Sequence, residues 1–196
     1  RPLYFTKSQI DLMSAYFRNS QDFRDLEFYL IIGINTGMRI GEIRSINEQT
    51  LVVDETGGYS VYLADTKNGD SRTIPITDDA LSAIRSLGTD VSKNWNSKLF
   101  YRGWSHMRRA ILNSDKRYTF HTTRHTCATT LANSGAYNTD LIGKYLGHRD
   151  LNTTRKYIKT APETLRSMAE LMRGAKSKTI TTPPKVKQGE LFGLEL

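Results

Sequence analysis

The sequence predicts an α+β fold, mainly helical, with a small three-stranded antiparallel sheet in its first half. Three observations carry that reading. Apolar residues recur at three- and four-residue spacing before residue 46 and again after residue 77, which is the period of amphipathic helices. Between those regions the period changes, and Leu51-Val52-Val53, Tyr59–Leu63 and Arg72–Ile76 read as short strands, with Asn68-Gly69 as a two-residue hairpin signal between the last two. The length, 196 residues, suits one domain with one sizeable core and a tail.

Thr6-Lys7-Ser8-Gln9 opens a first helix to about Asn19, with Ile10, Leu12, Met13, Ala15 and Phe17 as its apolar stripe. A second helix spans about Asp22–Thr36, turns Phe23, Leu26, Tyr29, Leu30 and Ile34 inward, and ends at Gly37. A short helix covers Ile40–Ser45. The strands follow, and then a helix over Thr77–Leu87 with Thr77 as its cap. Residues 88–98 read as a loop. Helices are expected at about 103–114, 121–133, 138–145 and 150–156, and another from Pro162 to Arg173. Residues 1–175 thus form the expected domain, and 176–196, with Pro183-Pro184 and an apolar finish at Leu191-Phe192-Gly193-Leu194, a separate tail.

Composition narrows the class. At 38% hydrophobic and 24% charged residues the chain reads as soluble and globular rather than disordered. No run approaches 18 apolar residues, so no transmembrane helix is expected, and no signal-peptide pattern is present. The single cysteine, Cys127, excludes an internal disulfide and fits a reducing cytoplasm. The chain begins Arg1-Pro2 rather than with Met, so a fragment or processed product is expected. Charge is uneven. Residues 1–100 carry 11 basic and 13 acidic side chains, and residues 101–196 carry 17 and 7, so the whole excess of +8 arises in the second half. That asymmetry points to a polyanionic partner.

There is no P-loop, no dinucleotide-binding glycine pattern and no acidic cage for a metal. His121 and His125 stand four apart, but position 122 is Thr where a zinc-protease helix needs Glu, and Arg124 would set a cation beside the ion. No metal and no cofactor is therefore expected. What remains is a set of cationic and proton-transferring side chains. Thr36-Gly37-Met38-Arg39-Ile40-Gly41-Glu42 places Arg39 at a helix start, with Glu42 one turn on to hold it. His121-Thr122-Thr123-Arg124-His125 puts two imidazoles and a guanidinium on one helix face. Leu146-Gly147-His148 closes a helix, Tyr157 follows nine residues later, and Lys67 precedes the Asn68-Gly69 turn. Singly, each has an ordinary structural reading: a surface ion pair, a polar helix start, a solvated hairpin charge, a core tyrosine.

Together, and in this order, Arg39, Lys67, His121, Arg124, His148 and Tyr157 resemble the active-site set of the tyrosine recombinases, the phage integrase family. The resemblance runs from about residue 5 to 172 on the motifs TGMRIGE, TKNG, HTTRH and LGH and on the gap from His148 to Tyr157. It implies a recombinase catalytic domain with Tyr157 as nucleophile, Lys67 as general acid, Arg39, Arg124, His121 and His148 around the phosphate, and Glu42 and His125 in support. It also implies double-stranded DNA as partner, a homotetramer on two duplexes passing through a Holliday junction, room for accessory DNA-bending proteins, and a tail that packs on a neighbouring subunit. One departure stands out: Thr123 occupies a position where the family commonly has Leu. Two rival readings share parts of this pattern, a type IB topoisomerase with the same chemistry and a DNA-binding domain without catalysis.

Overall fold

A computed structural model of the chain describes residues 3–53, 55, 57–64, 71–148 and 153–154. Lys67, the Asn68-Gly69 turn, Tyr157, the expected helix from Pro162 and the tail lie outside the described residues. The elements run α1 (Lys7–Arg18), α2 (Leu26–Thr36), α3 (Ile40–Arg44), β1 (Leu51–Val53), β2 (Tyr59–Leu63), β3 (Arg72–Pro75), α4 (Asp78–Leu87), α5 (Ser97–Ile111), α6 (His121–Asn133) and α7 (Thr139–Leu146). The mainly helical fold with one antiparallel sheet, ordered β1-β2-β3, is as the sequence predicts. Among the described residues no helix is long and apolar enough to cross a membrane.

The core is built round α2. Nine of its eleven residues, Leu26, Glu27, Tyr29, Leu30 and Ile32 through Thr36, are buried, because α1, α3, α4, α5 and α6 all pack on it. Its one buried carboxylate, Glu27, is held by Arg18 of α1 at 2.6 Å. Gly33 lets α6 approach closely, since a Cβ there would stand 2.7 Å from Thr123 Oγ1 and 2.9 Å from the Phe120 ring. The departure at Thr123 is thereby explained. Its side chain is fully buried, its hydroxyl donates to Phe120 O at 2.8 Å, and the space a larger side chain would fill is taken by the α2 backbone.

Sheet register fixes which face meets the helices. Val61 pairs with Ile74 and Leu63 with Arg72, so these four residues share the inward face. Val61, Leu63 and Ile74 are buried there. On the far side of α2, Phe5, Phe17, Phe100, Trp104 and Phe120 form an aromatic cluster with ring centroids 5.4–6.3 Å apart. Trp104 Nε1 also donates to Tyr118 O at 3.2 Å, and this anchors the turn that leads into α6.

Three expectations need correction. α5 begins at Ser97, not 103, because Asn96 Oδ1 caps the Leu99 N–H at 3.0 Å and Phe100 joins the apolar stripe one turn before Trp104. α2 begins at Leu26, not 22, since residues 21–25 are turns in which the Phe23 N–H is taken by Ser20 Oγ. Leu12 and Ala15 are exposed rather than inward, and Met13 and Phe17 carry the buried stripe of α1. The predicted caps at Thr6 and Thr77 are both in place, at 3.3 Å and 3.2 Å to Gln9 N and Ala80 N.

The close α2–α6 approach makes a direct prediction. Gly33→Val should destabilise the domain by about 1–3 kcal/mol through overpacking, lowering Tm by several degrees. Adding Thr123→Ala should return part of the loss. Thermal unfolding of the two variants checks both statements, and an unchanged Tm for Gly33→Val would contradict the close approach.

Candidate active site

The site begins where α2 stops. Gly37 takes φ 64°, in the left-handed region, and ends the helix; any Cβ there would also strike Leu146. The turn delivers Arg39 to the cap position of α3 in an extended conformation. The Glu42 carboxylate reaches back, Oε2 accepting the Arg39 backbone N–H at 2.7 Å and Oε1 the Arg39 Nη1 at 3.0 Å. Glu42 thus holds Arg39 as the sequence predicts. It also holds a second guanidinium, because Arg72 Nη2 donates to Glu42 Oε2 at 2.9 Å.

α6 supplies the second group. Arg124 is only 3% exposed, and its guanidinium donates from Nη1 to Gly37 O at 2.8 Å and from Nη2 to Leu146 O. These carbonyls belong to the C-terminal ends of α2 and α7, where the backbone carries partial negative charge. His121 and His125 lie on the same side of α6, with ring centroids 4.8 Å apart and edge to face. His148 follows the left-handed Gly147 that ends α7, and its Nδ1 is hydrogen-bonded to the buried Thr154 hydroxyl at 2.8 Å.

Arg39, Glu42, Arg72, His121, Arg124 and His148 feel one another electrostatically. Burial, and then Arg39, lower the Arg124 pKa to about 10, against which Glu42 acts. Burial lowers His121, with Arg124 and Arg39 adding to the effect. Burial with Arg124, Arg39 and Arg72 brings His148 down to about 4, and burial with His121 and Arg124 brings His125 to about 4. At neutral pH His125 and His148 are therefore uncharged, while Arg39 and Arg72 share the Glu42 carboxylate and Arg124 is held by backbone carbonyls alone. Such a site is short of negative charge and rich in fixed donors, which is the setting for an anion that gains charge during reaction.

The structure thus gathers Arg39, Glu42, His121, His125, Arg124 and His148. Lys67 and Tyr157 lie outside the described residues. Two contributors were missed in the sequence. Arg72 alternates in phase with buried Ile74 along β3, and that inward parity was the available signal. Thr154 stands three residues before Tyr157 and gave no signal beyond its place in a helical pattern.

Comparison with known proteins places the fold and the family. The chain is 26% identical over 160 residues to a probable integrase/recombinase protein of Methanocaldococcus jannaschii, covering 71% of this chain and 47% of that protein. The chain spans half or less of the length of the curated relatives it matches. Among solved structures, the XerH site-specific recombinase bound to its difH substrate superposes with a TM-score of 0.69 at 17% identity, over 87% of this chain and 54% of that one. The catalytic domain of bacteriophage HP1 integrase superposes with a TM-score of 0.61 at 21% identity, over 90% of this chain and 100% of that one. The fold is that of these catalytic domains. The model of the phage integrase family matches residues 4–164, a span that takes in Arg39, Arg72 and Arg124, all three site histidines, Lys67 and Tyr157, and the chain belongs to that family.

Proposed function

We propose that this chain is the catalytic domain of a site-specific DNA recombinase or integrase that cleaves and rejoins strands through a 3′-phosphotyrosine intermediate, without metal or ATP. The observation that carries the reading is the group of Arg39, Arg72 and Arg124 round a single carboxylate, Glu42, with uncharged His148 alongside. A phosphodiester brings one negative charge, and attack on phosphorus concentrates more on its nonbridging oxygens. Arg39 and Arg124 meet that charge with donors already fixed by Glu42 and by the two helix ends. His121 and His148 add hydrogen bonds from their ring nitrogens.

The Tyr157 hydroxyl gives up its proton to solvent as its oxygen attacks phosphorus, the new O–P bond forms as the bond to O5′ breaks, and Lys67 gives a proton from its ammonium group to the departing oxygen. The ester energy is kept in the phosphotyrosine, so a 5′-hydroxyl from a second duplex can reverse the step and complete an exchange. Double-stranded DNA is the substrate, a homotetramer on two duplexes the working assembly, and the cytoplasm its compartment. Relatives named as recombinases and the neighbour solved on its DNA substrate support this reading.

Residues 176–196 dock on a neighbouring subunit or back onto their own domain in this scheme. Their apolar end has a suitable receptor: a cavity of about 390 Å³ between β3, α6 and α7, lined by Leu131, Ile142 and Tyr145 and rimmed by exposed Tyr137 and Leu141.

Three measurements test the proposal. On a suicide DNA substrate the parent protein should form a covalent adduct and Tyr157→Phe none, with DNA affinity nearly unchanged; an adduct in the variant would remove Tyr157 as nucleophile. Arg39→Lys and Arg124→Lys should each slow adduct formation by about 10²–10³, because a point charge does not replace a planar fork. Deleting 176–196 should impair strand exchange and assembly more than simple DNA binding. Unaltered exchange by the truncated protein would reduce the tail to a solvated end.

A further inference from the structure

Glu42 has two oxygens and three donors. Arg39 supplies two of these donors, yet its side chain is 36% exposed. Arg72 and Glu42 are only 12% and 11% exposed, so the buried member of the pair is Arg72. An ion pair with a half-exposed guanidinium leaves a carboxylate free to swing, whereas one held from inside the fold has a single seat.

Arg72 is itself confined. It is the first residue of β3, paired with Leu63, and its guanidinium lies against the backbone of Gly147. A Cβ at position 147 would stand 2.6 Å from Arg72 Nη1 and 2.7 Å from its Cζ. That contact is one residue from His148. The arrangement also carries a cost, since among the described residues Arg72 Nε is buried without a hydrogen-bond partner. A methionine would fill the same volume without that cost, so packing alone does not account for an arginine here.

The geometry points to Arg72 as a positioning residue that locks the Glu42 carboxylate from β3, so that Glu42 can orient Arg39, and that seats the Gly147-His148 turn beside it. This inference rests on the proposed reaction and adds a residue to its machinery. Arg72 acts through Glu42 rather than on the phosphate.

The test uses the full chain, with Arg72→Met, Arg72→Lys, Glu42→Gln and the Arg72→Met/Glu42→Gln double variant. Two readouts are taken: hydrogen exchange of the Arg39 amide, whose N–H is bound by Glu42, and single-turnover adduct formation on suicide DNA at saturating protein. Arg72→Met should speed exchange at Arg39 while the core amide of Leu30 keeps its protection. It should slow adduct formation by about 10²-fold, the scale expected when a catalytic group is misplaced, with DNA affinity little changed. Arg72→Lys, which keeps one donor for Oε2, should fall between. In the Glu42→Gln background the Arg72→Met effect should shrink to a small factor, because the carboxylate it acts through is gone.

An undiminished defect in that background would show that Arg72 meets DNA directly and would overturn the inference. Equal acceleration of exchange at Arg39 and Leu30 would make the role purely structural and overturn it as well. Absence of any adduct with the parent protein would refute the proposed reaction instead, and the Arg39 exchange would still decide the role of Arg72.

Discussion

The buried guanidinium of Arg124 is the constraint on which the rest of the structure turns. A charge taken out of water is costly unless it is fully engaged, and here the engagement comes from backbone carbonyls rather than from a carboxylate. Gly37 O and Leu146 O accept its hydrogen bonds, so one side chain of α6 clasps the ends of α2 and α7. Both helices finish on a glycine in the left-handed region, which stops the helix and leaves its last carbonyls free to be used. The same two turns lead straight to Arg39 and His148. Fixing Arg124 therefore fixes the origin of two other site residues.

A division of labour among the charges follows. Arg124 is satisfied by neutral partners and keeps its positive charge uncancelled. Arg39 and Arg72 share the only carboxylate of the group, Glu42. Burial holds the histidines below their usual range, so the surplus positive charge rests on groups whose protonation does not vary near neutrality. The site is in this sense set before any ligand arrives, and little reorganisation is left for the moment of reaction.

Much of this was legible in the sequence because the signals were local. Caps at Thr6 and Thr77, the stop at Gly37, the Arg39–Glu42 spacing and the shared face of His121, Arg124 and His125 all follow from contacts within one or two turns. What escaped depends on contacts distant in the chain. Arg72 meets Glu42 across thirty positions, and nothing in a strand-initial arginine says which carboxylate it will find. The threonine at position 123 makes sense only beside Gly33, where the two helices leave no room for a larger side chain. The early start of α5 was hidden because Ser97 and Lys98 carry no apolar signal, and only the aromatic cluster makes the stripe through Phe100 worth forming.

The surplus of guanidinium over carboxylate has a consequence for where selectivity resides. Every phosphodiester in a duplex offers the same charge and nearly the same geometry, and Arg39, Arg72 and Arg124 have no feature that distinguishes one base step from the next. A site of this composition is blind to sequence. On the proposed reading, the choice of which bond is cut belongs to surfaces that touch base edges or bend the duplex, and it can be altered there while the arginine group remains untouched.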